Sequence, residues 1–143
     1  VAITVNRYDH TIHRFVTGAN AAGDTYKLLL CSALTFNASH TTLAGITYTE
    51  IANGNGYTTG GLTLGSVEIT QVGSGSKFDA NDGVWTASGS GISAAFALLI
   101  NDTDSGDPPV VAIDFGEVKT ADAGTDFKVI WPTGGIVAFS WAA

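Results

Sequence analysis

The chain has little of what cross-links or charges a protein. One cysteine in 143 residues excludes an intramolecular disulfide, so stability must come from packing or assembly. Methionine is absent, and only 13% of the residues are charged. Six basic residues stand against thirteen acidic ones, for a formal net charge of −7. The basic residues are scattered and form no stripe, so direct binding to nucleic acid, which needs cations along the phosphates, is not expected. No stretch reaches the roughly 18 apolar residues of a membrane span, and no membrane partner is expected. The opening Val1-Ala2-Ile3-Thr4-Val5-Asn6-Arg7 lacks the long apolar region of a signal peptide.

Glycine is abundant, at 18 residues. Many Gly, Thr, Ser and Val with sparse charge suit an all-β protein with tight turns rather than a helical bundle. The stretch from Val84 to Gly116 reads as its heart: an aromatic strand at Val84-Trp85-Thr86-Ala87, then two apolar runs, Ile92 to Ile100 and Pro109 to Gly116. Between the runs lies an acidic corner, Asn101 to Pro108, with Asx-turn residues, a glycine and a proline.

Other strands are expected at Thr25–Ala33, Ile46–Ile51, Leu62–Val72, Phe127–Trp131 and Ile136–Trp141, with Asn53-Gly54-Asn55-Gly56 as a hairpin-type turn and Gly73 to Ser76 as a flexible turn. Tyr8, Ile12, Phe15 and Val16 have the spacing of one helix face, with Asn6 as N-cap and Gly18 as terminator, which predicts a helix over 7–17. The expected architecture is a single β-sandwich or jelly-roll-like domain over 8–143, with about eight strands and one short N-terminal helix, preceded by an extended arm over 1–7.

No catalytic constellation is visible, and the protein is not expected to be an enzyme or to carry a cofactor. Cys31, in the apolar run Tyr26 to Cys31, reads as a small buried hydrophobe rather than a nucleophile. His10 and His13 could share a helix face as zinc ligands do, but the motif has no third ligand. His40 sits in a polar loop with no Ser or Asp partner identifiable by spacing and reads as solvated. The acidic turns Asp79-Ala80-Asn81-Asp82-Gly83 and Asp102 to Asp107 alternate oxygen donors, yet neither completes an EF-hand loop, and Asx-turn bonding is the reading taken. No metal site is expected.

Asp114, between Ile113 and Phe115, must be solvated or paired, depending on what covers its face. Gly54, Gly56, Gly60 and Gly61 lack the following helix and the Lys-Ser/Thr of a phosphate loop. Trp85, Trp131 and Trp141, with Tyr48 and Tyr57, could form a sugar-stacking platform; core aromatics are the simpler reading.

The order of signals along the chain resembles a family of small structural proteins from tailed-bacteriophage virions. The residues that carry the likeness are Asn53 to Leu64, Phe78-Asp79-Ala80 with Val84-Trp85, and Ala97 to Asn101 with its acidic turn. Ala112 to Gly116, Asp126-Phe127, Trp131 and Gly135-Ile136-Val137 complete it, with Asn6-Arg7-Tyr8 and the short helix at the start.

The likeness implies a virion component with no catalytic residues. The first expectation is a capsid decoration (cement) protein on the outer capsid surface, made in the host cytoplasm, whose partners are the major capsid protein and copies of itself. A tail or tail-fibre component is the alternative, and a glycan-binding module a more distant one. The interacting residues expected are those of the arm, Val1, Ala2, Ile3, Thr4, Val5, Asn6 and Arg7, since an extended segment can add a strand to a neighbour's sheet edge.

Overall fold

The computed structural model describes residues 3–140; Val1, Ala2 and Trp141 lie outside them. The fold is all-β and sandwich-like, with antiparallel sheets and one short α-helix. The strands are β1 (Thr4–Arg7), β2 (Tyr26–Thr35), β3 (Thr47–Glu50), β4 (Leu62–Thr63), β5 (Glu68–Val72) and β6 (Gly75–Asp79), then β7 (Gly83–Thr86), β8 (Ile92–Asn101), β9 (Pro109–Ala121), β10 (Asp126–Val129) and β11 (Val137–Phe139). The helix α1 spans Thr11–Val16.

The main sheet runs β1-β9-β8-β2-β3, with β4 also paired to β2. The run from Ile92 is its middle strand, as the sequence suggests. Two smaller sheets, β7–β10 and β5–β6–β11, supply the opposing layer. Tyr26, Leu28 and Leu30 of β2, with Ala97 and Leu99 of β8, meet Phe78 of β6, Trp85 of β7, Phe127 and Val129 of β10 and Val137 of β11 in one core. Rings interlock there: Phe78 has its centroid 4.8 Å from both Phe15 and Tyr26.

The main sheet is also buried on its second face. Leu29, Cys31, Leu98, Ile100 and Ala112 point that way and pack with Tyr8 and Ile46, while Phe36, Leu43 and Tyr48 lie against them. The segment between β2 and β3 therefore folds back over the sheet, anchored where Leu43 N donates to Gly106 O at 3.0 Å and Asp9 N to Ala38 O at 2.9 Å. Burial on both faces explains why β2 and β8 read as continuous apolar runs rather than alternating ones.

Several expectations change. The helix is shorter than 7–17, because Tyr8 is drawn into the second core and His10, not Asn6, occupies the N-cap position. Val16 is 72% exposed, so only Ile12 and Phe15 of the expected face reach the main core. Gly18 does end the helix, at φ +81. Residues 62–72 form two strands, since Ser66 at φ +53 turns the chain from the main sheet into the opposing layer. The strand expected to stop at Gly116 continues to Ala121 through an irregularity in which Ala94 pairs Lys119 but Phe96 pairs Asp114. Eleven strands result among the described residues, rather than about eight.

The segment expected as an arm is extended over Thr4–Arg7 but lies within the main sheet, with Val5 opposite Ile113 and Arg7 opposite Val111. Alternate side chains of β1 thus share a face with Ile113, and pairing to β9 satisfies half of its backbone groups.

Candidate functional site

Most chemically suggestive residues hold the fold together. Trp85 and Trp131 are 5% and 8% exposed and Tyr57 is 2% exposed, so these three are core side chains. Tyr48 is half-buried against the other face of the main sheet. Trp131 is clamped by the first acidic turn: its backbone N donates to Asp82 Oδ1 at 2.9 Å, and its indole Nε1 to Asn81 O at 3.0 Å.

The second acidic turn is tied to the helix and the 19–24 loop. Buried Asn101 donates through Nδ2 to Asn20 Oδ1 at 3.0 Å and to Asp24 Oδ2 at 2.9 Å. Arg14 donates to Asn20 Oδ1 at 3.1 Å and to Ala19 O at 3.0 Å, and pairs with Asp104. Thr103 N donates to Asn101 Oδ1, a local turn bond. Lys27 lies 3.4 Å from Asp102. Among the described residues no group of three or more His, Cys, Asp or Glu is placed to hold a metal ion.

His10 and His13 do not act together: His10 Nε2 is 2.9 Å from Pro109 O, while His13 is exposed. His40 is half-buried, and its Nδ1 is buried without a hydrogen-bond partner among the described residues. Cys31 is fully buried, and desolvation, aided by the Glu50 charge, pushes its thiol pKa up to about 12, which suppresses the nucleophilic thiolate. Asp114 is half-buried and accepts the Gly116 amide at 2.8 Å, bracing the β9 irregularity where Gly116 adopts φ +77. Two of the four loop glycines lie against backbone carbonyls. A Cβ on Gly56 would meet Thr86 O at 2.1 Å, and one on Gly61 would meet Leu28 O at 2.5 Å.

What remains is a surface. β1 ends the main sheet, and its outer edge has no strand partner among the described residues. Beside it opens a groove of about 460 Å³, lined by Ile3 and Val5 and by Phe127, Ile130, Trp131 and Pro132, with Lys119, Asp126 and Lys128 among its polar lining. Ile113 and Phe115 also line it. Ile3 is 58%, Val5 47% and Ile130 69% exposed, so large apolar side chains from both segments line it. The core side chains beneath it stay buried, Ile113 at 3% and Phe115 at 5% exposed, so the exposed apolar surface belongs to the rim.

The sequence points to Ile3 and Val5 through their alternation with polar neighbours, and to no other segment of the groove. Ile130 carries a signal that the strand pattern contains: Phe127, Val129 and Trp131 are buried at period two, and Ile130 is the apolar residue out of phase. No protein-family model matches the chain, no characterised protein matches its sequence, and no solved structure matches it.

Proposed function

We propose that the protein is a structural component of a bacteriophage virion, a capsid decoration protein that binds the outside of the major capsid shell and strengthens contacts between its subunits. The observation that carries this reading is the open edge of β1 beside an apolar groove. An unpaired edge offers backbone donors and acceptors to another chain, and a neighbouring apolar strip adds burial to that pairing. The edge belongs to a strand already docked on a sheet, so binding orders little chain and loses little conformational entropy. Individually modest contacts suffice when particle symmetry repeats them.

The ordered motifs from Asn53 to Val137 support placing that adhesive body in a virion, by their resemblance to small virion proteins. The net charge of −7 suits the outer surface rather than the side facing DNA, where like charges repel. On this reading the attachment element is the segment from Val1 to Arg7, and the partners are the major capsid protein and further copies of the chain.

Imaging of virions carrying a label on this chain tests the proposal. Label distributed over the head is the expected result. Label confined to the tail would replace the decoration role with that of a tail or tail-fibre component, and particles without label would overturn the virion reading.

A further inference from the structure

We propose that β1 pairs with β1 of a second copy of this chain, antiparallel and centred on Val5, so that two main sheets join into one across a two-fold axis. This rests on the reading of the β1 edge as an assembly surface and names a second copy as the occupant of its backbone, which leaves the groove beside it to the capsid shell.

The segment Ile3-Thr4-Val5-Asn6-Arg7 is self-complementary in that arrangement. Val5 faces the partner's Val5, Thr4 faces the partner's Asn6, and Ile3 faces the partner's Arg7. Directly opposite residues share a face of the sheet. The apolar side chains of both copies therefore fall on the face that carries Ile113 and the groove, and the polar pair Thr4 and Asn6 falls on the other. The aliphatic stem of Arg7 lies along the partner's Ile3 while its guanidinium stays in water.

Charge selects this edge and this direction. Two copies that each carry −7 repel, and they meet at less cost along a strand with no acidic side chain of its own; Ile3 to Arg7 contains none, and Asp114, opposite Thr4, is half-buried and held by the Gly116 amide. Antiparallel pairing about Val5 sets the two Arg7 residues four positions apart, about 14 Å along the strands. That exceeds the screening length of about 8 Å at physiological salt. A parallel pairing would place them side by side. The edge is only lightly protected: it carries no proline, its one charge, Arg7, stands at its end, and β1 pairs to β9 without a register shift. A two-fold contact closes at two copies, whereas β1 pairing with the opposite edge strand, β3, would build an open chain of copies.

The test uses the full chain in two ways. Sedimentation equilibrium of the purified protein across a wide concentration range is expected to show monomer and dimer only, with Val5→Lys weakening the dimer at least tenfold. Independently of any effect of that charge on folding, Val5→Cys is expected to form a disulfide-linked dimer under mild oxidation while Arg7→Cys does not. Cys31 is fully buried, which leaves the introduced thiol as the reactive one. A monomer at every concentration, assembly that grows past two copies, or equal cross-linking at both positions overturns the proposal. A monomer that still decorates particles would sink self-pairing and spare the virion reading; a dimer missing from particles would do the reverse.

Discussion

The Tyr57 hydroxyl donates to Glu50 Oε1 at 2.6 Å and accepts the Leu30 amide at 3.2 Å, while Gly60 N donates to the same carboxylate oxygen at 2.7 Å. One phenol thus joins the 53–61 loop to β2 and β3. Burial first, and then the bond to Glu50, raise its pKa, so it remains a donor throughout the neutral range.

Removing that hydroxyl leaves the Leu30 amide and a carboxylate each short of a partner inside the fold. Tyr57→Phe is expected to lower stability by about 2 kcal/mol, the scale of a hydrogen bond to a charged group together with an orphaned buried amide. Denaturant unfolding measures it. A change below about 0.5 kcal/mol would mean that water replaces the phenol.

Tyr8 presents the opposite case. Its side chain is fully buried with its ring 4.9 Å from Phe36, and its hydroxyl has no hydrogen-bond partner among the described residues. An unpaired buried hydroxyl costs about 1–3 kcal/mol on the scale of protein substitutions. Tyr8→Phe keeps the ring and removes the orphan, so the melting temperature is expected to rise. A fall would reveal a bound water on that oxygen.

Trp85 closes the sandwich, 5% exposed and 6.2 Å between centroids from both Tyr57 and Phe127. Trp85→Ala is expected to cost about 3–5 kcal/mol, because the surrounding sheets collapse only partly into the space left. Thermal unfolding of the variant checks it, and an unchanged curve would place the ring outside the core.

Alkali is expected to unfold the protein in a defined window. Burial raises the Cys31 thiol from an ordinary 9.0 to about 12 and the Tyr8 phenol from 10.0 to about 12, with Tyr26 and Tyr57 also raised. A raised folded-state pKa means that the native protein holds the proton where the unfolded chain has released it. The contribution is therefore complete below pH 9 and lost as pH climbs towards 12, at about 1.4 kcal/mol per pH unit for each titrating group. Stability measured against pH should be level from 7 to 8.5 and fall steeply above 9. Cys31→Ala should make that fall shallower by one proton; an unaltered slope would show that the thiol is not held protonated.

Much of this protein is written locally. Turn chemistry at Asn53 to Gly56 and at Asn101 to Pro108, and strand-length apolar runs between such breaks, are enough to give an all-β sandwich with the run from Ile92 at its centre. The stop at Gly18 is legible too, because a positive φ is a property of one residue. The structural use of the acidic turns follows from the short reach of Asp and Asn side chains towards nearby backbone.

Tertiary structure decided what depends on residues far apart in the chain. Tyr8 has helical spacing with Ile12 and Phe15, yet its ring lies with Leu29 and Leu98 because the second face of the sheet needed covering. Asp114 looks isolated in an apolar strand, and only the irregular pairing with β8 reveals the Gly116 amide it braces. The same holds for the surface proposed as functional. Alternation marks Ile3 and Val5 as a strand with one apolar face, but whether such a strand hangs free or docks depends on β9, more than a hundred residues later. Its groove is lined by β1 together with β9 and β10 residues from far along the chain, and the period of a strand encodes which side chains share a face, not what packs beside them.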